Sequence, residues 1–155
     1  MLIASLIALH LLSAVIWVGG MFFAYMSLRP VAASQLEPPQ RLALWSGTFG
    51  KFFPWVWAAV ILLPLTGYWM AYAAWGTMKF FPIYIHVMQG VGILMIMLYL
   101  HVFFAPYKRL QRAVAAQDWA TGGKQLAQIR VLVGTNLVLG VIVILSAAAG
   151  RYLPV

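Results

Sequence analysis

The sequence predicts an all-α membrane protein, a four-helix transmembrane bundle with both termini outside. Three observations carry that prediction. Apolar residues make up 65% of the 155 positions, and the mean hydropathy is +0.94. Charged residues, only 8%, leave four uncharged windows at 1–28, 52–78, 80–107 and 131–150. Each is at least as long as the ~20 residues that cross a bilayer core. Backbone groups inside that core must bond within their own segment, so each window is a helix. The third observation is the sidedness of the basic residues. Arg29, Arg41 and Lys51 fall in the first loop, and Lys108, Arg109, Arg112, Lys124 and Arg130 in the third. Only Lys79 and Arg151 lie on the other side. Basic loops stay cytoplasmic, so loops one and three face the cytoplasm. The net charge of +8 is this topological signal and no mark of nucleic-acid binding. The expected location is a bacterial inner (plasma) membrane, with the lipid bilayer as the first partner.

The elements follow in order. Helix one spans about residues 2–28 and is stopped by Arg29 and Pro30. It lacks a basic n-region and its apolar stretch is too long for a cleaved leader, so it is a retained span. Glu37, Pro38 and Pro39 keep the first loop from being helical throughout. Helix two, about 52–75, has Pro54 in its tolerant first turn and Pro64 mid-span, where a kink is expected. Gly76 to Lys79 form the short outer turn. Helix three, about 82–105, opens at Pro82 and ends before Pro106. The basic third loop has room for a short surface helix at Lys108 to Ala116. Helix four covers about 125–150. The loops are too short for a soluble domain, so residues 1–155 are expected to form one transmembrane domain. Trp55, Trp57, Trp69, Trp75, Tyr72 and Tyr107 fall near the expected helix ends, where interfacial aromatic belts form.

Composition then removes whole classes of chemistry. There is no cysteine, which excludes disulfides, thiolate metal sites and iron–sulfur clusters. Glu37 and Asp118 are the only acidic side chains and both sit in loops, so no carboxylate pair works inside the bundle. What remains is His10, His86 and His101, each within a charge-free run. An ionisable side chain in hydrocarbon marks a functional site by default.

Depth separates these three. His10 lies in the outer third of helix one. His86 is four residues past Pro82 on a helix that also enters from outside, so the two share a depth. The fifteen residues from His86 to His101 rise about 22 Å, so His101 belongs to the inner end. The faces of His10 and His86 continue through small residues, including Gly20 and Gly90, which allow close helix approach or room for a flat macrocycle. Two histidines at one depth on separate helices match bis-imidazole ligation of a haem b iron. Copper competes for the same reading, because Met97 and His101 lie four apart on one face and thioether with imidazole suits Cu(I). At the inner mouth, Arg130, Asn136, Arg29 and Lys51 are placed to gather near His101. There they would hold a haem propionate, a quinone or an anionic lipid, or simply snorkel.

The stretch from His10 through Trp17 to Gly19 and Gly20 resembles the first-helix motif of CopD-family membrane proteins. The segment from Ile129 and Arg130 through Asn136 to Gly140 is similar to that family's last-helix signature. The fold also resembles four-helix b-type cytochromes, such as cytochrome b561 and superoxide oxidase, and the HemJ-type proteins. These resemblances imply His10 and His86 as haem ligands, with Trp17, Arg130 and Asn136 as pocket or substrate residues. Three functions follow. The first is a haem b membrane protein with an electron-transfer or oxidase role, exchanging electrons with a quinone, a porphyrin or a periplasmic partner. The second is CopD-like copper transport or handling. The third is a non-catalytic assembly subunit. Whether the chain is an enzyme, and whether it forms a homo-oligomer, stay open at this point.

Overall fold

The computed structural model describes residues 1–152. Four long helices organise them: α1 (Leu2–Gln35), α2 (Pro38–Trp75), α3 (Ile83–Ala115) and α4 (Trp119–Ala149). All four are long and apolar enough to cross a membrane, and no strand occurs among the described residues. Large apolar side chains such as Leu11, Val15, Phe23, Trp55, Leu65 and Val131 are more than half exposed. On a protein in water this would be a liability. Facing lipid, it is the expected surface.

Each helix except α3 at its start is longer than the charge-free windows predict. α1 does not stop at Arg29 and Pro30 but runs on to Gln35. The reason is local. Residues Ala24–Leu28 form a wide π turn, and Pro30 lies in the first turn of the α segment Arg29–Gln35 that follows. A proline lacks an N–H and its ring collides with the carbonyl four residues back. A wider turn just before it relieves both demands. The same device carries α3 through Pro106, which lies inside the π segment Phe103–Tyr107. Beyond it the basic stretch Lys108–Ala115 is helical, as the sequence predicts, and continues α3 rather than standing alone.

The break between α1 and α2 is short. Leu36 and Glu37 are extended, at φ −117°, ψ 135° and φ −62°, ψ 155°. A residue preceding proline is pushed from helical geometry, whereas proline itself suits the first helical position. Pro38 therefore opens α2 fourteen residues before the expected start near 52. Its 38 residues, unbroken through Pro54 and Pro64, are about 57 Å long. The hydrocarbon core takes only ~30 Å of that, so the Arg41 end projects past it. Gly76, at φ +73°, closes α2 with its N–H donating to the Tyr72 carbonyl at 2.9 Å. Glycine takes that positive φ without the steric cost a Cβ would bring. At the other end of the bundle Asp118 caps α4, its Oδ1 accepting from the Thr121 N–H at 3.0 Å. Hydrogen bonding from the Thr121 side chain and then from its backbone N–H holds the Asp118 carboxyl below the usual carboxylate range.

Packing joins the helices in pairs. α1 packs along α2 and α3 along α4, and the pairs meet through α4 against α1 and α2 and through α3 against α2. An aromatic cluster fills the half of the seam toward loops one and three. Phe53 stacks on Phe49 at 5.2 Å and meets Tyr107 edge-on at 4.8 Å and Tyr99 at 5.5 Å. Tyr107, expected in an interfacial belt, is 3% exposed and belongs to this core. Trp55 and Trp69, at 62% and 59%, do face outward. Gly140 lets α4 approach α1 and α3 closely. A Cβ there would sit 2.9 Å from Val18 Cγ2 and 3.2 Å from Met95 Cε.

Candidate functional site

His10 is the histidine the fold builds around. Its Nδ1 lies 2.8 Å from Thr66 Oγ1 on α2. Thr66 is buried, and its Oγ1 donates to the Leu62 carbonyl at 2.6 Å. A hydroxyl has one proton to give. With that proton directed at Leu62, Nδ1–H is the donor toward Thr66. In that tautomer the Nε2 lone pair is available. Metal-binding histidines are commonly held this way, with the non-ligating nitrogen donating to a fixed acceptor. Gly67 makes the approach feasible, since a Cβ there would stand 3.1 Å from His10 Cε1. Thr66 and Gly67 escape sequence reasoning that tracks ionisable residues. The available signal was a hydroxyl two residues beyond Pro64 in an otherwise apolar run.

Below His10, α1 turns a stripe of buried residues inward at Ser13, Trp17 and Met21. Trp17 meets Tyr99 of α3 edge-on at 6.2 Å. Facing this stripe from α4 is Asn136, 4% exposed. Its Nδ2 donates to the Met95 carbonyl at 3.3 Å, while its Oδ1 is buried with no partner. A cavity of about 30 Å³ lies here, lined by Trp17, Met21, Tyr99 and Asn136 among others. That is room for a water or a bare ion. Trp17 and Asn136, both singled out in the sequence, are thus brought to one cavity. Met21 joins them and was not anticipated, because one methionine among eight carries no signal of its own.

The remaining residues are placed apart from this stripe. His86 is exposed near the start of α3, its ring 6.0 Å from that of Phe81. It belongs to the α3–α4 pair and His10 to the α1–α2 pair. Neither His10 nor His86 lines the cavity at Asn136 or the larger basic cleft at the other end of α1. A flat macrocycle held between them finds no support in this packing. Met97 and His101 are both exposed on the outer face of α3, with Met97 at 54%. Arg130 is on α4 and lines the basic cleft together with Arg29 and Arg41. Among the described residues no three of His, Cys, Asp and Glu gather as a metal cluster.

Comparison with known proteins adds one finding. The family model described as Copper resistance protein D (CopD) matches residues 46–150. The match covers α3, α4 and nearly all of the membrane-spanning part of α2, and so includes His86, Met97, His101, Arg130 and Asn136. His10 and Trp17 lie before it. No curated protein and no solved structure matches the chain significantly.

Proposed function

The chain belongs to the CopD family, and from that membership we propose that it handles copper within the membrane, binding Cu(I) as cargo. The family match is the observation that carries this reading. The donor set supports it. Without cysteine, imidazole and thioether are the soft ligands the chain can offer, and both suit Cu(I). His10 is the favoured ligand because Thr66 holds its proton on Nδ1 and leaves Nε2 open. Eleven residues further along α1, about 16 Å deeper, Met21 and the Asn136 oxygen border the small cavity. An ion leaving His10 would meet them next, with the Trp17 face between as a cation–π neighbour. Copper held at Met97 and His101 would sit on the outer surface of the bundle, and these two are the weaker candidates. His86 is a further imidazole near the same end as His10. His10 is half-buried on the α1–α2 pair and His86 exposed on the α3–α4 pair, which lends haem b no support.

In this reading residues 1–155 act as one four-helix transmembrane domain of a bacterial inner membrane, with loops one and three cytoplasmic. The experiment is anaerobic purification followed by metal analysis and an absorption spectrum. Stoichiometric copper that is lost in His10→Ala is the expected result. A copper-free protein with a Soret band, from cells supplied with both metals, overturns the proposal in favour of haem.

A further inference from the structure

At the end of the bundle carrying loops one and three, α1, α2 and α4 part around a cleft of about 310 Å³. One arginine enters from each helix: Arg29, Arg41 and Arg130. The guanidinium of Arg29 lies over the Tyr25 ring at 4.8 Å, which fixes it at the cleft wall. Three like charges brought to one cavity repel one another, and the repulsion is stronger beside low-dielectric walls. Nothing acidic offsets them. The chain has two acidic side chains, Glu37 and Asp118, and neither lines the cleft. Asp118 is engaged as the cap of α4. The site is therefore incomplete without an anion, and arginine forks suit phosphate oxygens.

Depth and wall chemistry narrow the class of anion. Arg29 and Arg130 each stand one residue outside an uncharged window, at the border between headgroups and hydrocarbon. Away from the arginines, the cleft continues along Trp45, Phe49, Leu126 and Val133. A small hydrated anion would gain nothing from that apolar floor. A phosphate ester with an attached hydrocarbon chain would use both halves, and the volume falls in the range of ligand pockets. We propose that this cleft binds the phosphate of an anionic phospholipid, with Arg29, Arg41 and Arg130 on the headgroup and the start of an acyl chain along the Trp45–Leu126 wall. The shared chemistry is a phosphate anion. The apolar floor is what selects lipid over free phosphate. The site stands apart from copper handling and does not depend on it.

The test uses the full chain, delipidated in a neutral detergent. Binding is read by native mass spectrometry and by thermal unfolding, with three probes: phosphatidylglycerol, phosphatidylcholine and inorganic phosphate. The expected result is one tightly held phosphatidylglycerol that raises the Tm, with neither other probe doing so at equal concentration. Arg41→Gln and Arg130→Gln each weaken that binding, on the order of fivefold per arginine removed. Arg41→Lys, which keeps the charge, retains more of it than Arg41→Gln. The lipid-free Tm of each variant serves as the folding control. Equal stabilisation by phosphatidylcholine, or full binding by the folded glutamine variants, overturns the proposal. Stabilisation by inorganic phosphate equal to that by phosphatidylglycerol overturns the lipid assignment and leaves a free-anion site.

Discussion

Thr66→Val removes one hydroxyl while keeping the branched shape of the side chain, and it isolates what the hydroxyl does for His10. When Oγ1 donates to the Leu62 carbonyl, it accepts from Nδ1–H and favours the tautomer with Nε2 bare. Valine offers no acceptor. The half-buried Nδ1–H then loses its hydroxyl partner, at a cost of about 0.5–1.5 kcal/mol. The imidazole escapes that cost by moving its proton to Nε2, the nitrogen that the copper reading requires bare. Loss of such an outer partner weakens metal binding about 10–100-fold, or about 1.4–2.7 kcal/mol. The assay is an anaerobic competition titration of Cu(I) against a coloured chelator, run on wild type, Thr66→Val, Thr66→Ser and His10→Ala. Serine restores the acceptor and should recover most of the affinity. The reasoning fails if Thr66→Val binds Cu(I) as tightly as wild type while His10→Ala does not. It fails equally if Thr66→Ser is as weak as Thr66→Val.

Two further substitutions separate packing from function. Asn136→Leu removes the bond to the Met95 carbonyl and the unpartnered Oδ1 together. Interhelical bonds of this kind contribute only about 0.6 kcal/mol, so unfolding in detergent should shift little. Copper accumulation by cells should fall, and an unchanged accumulation would remove Asn136 from the path. Gly140→Ala places a methyl against Val18 and Met95 at the α1–α4 crossing. Overpacking there should cost about 1–3 kcal/mol, read as a lowered Tm, and a Tm at or above that of the wild type would mean the crossing is looser than described.

Four spans, the lack of carboxylate or thiolate chemistry and the helix at Lys108 to Ala115 were all legible in the sequence. They depend on where charge and hydrocarbon can coexist, which is a property of residue types along one chain. The helix ends were less legible. Charge marks where a helix leaves lipid, not where it stops, so Arg29 and Arg41 sit on helices that continue past the membrane border. Depth counting could bring His10 and His86 to one level. It could not say which helices are neighbours or which way a ring turns, and packing assigned these two to different pairs. Thr66 behind His10, Met21 beside Asn136 and the meeting of Arg29, Arg41 and Arg130 come from segments far apart in the chain. Membership of a membrane family followed from composition and motif. The pairing of His10 with Thr66 and the charge of the cleft were decided only by the tertiary structure, because each depends on groups that adjacency in space, not in sequence, brings within reach.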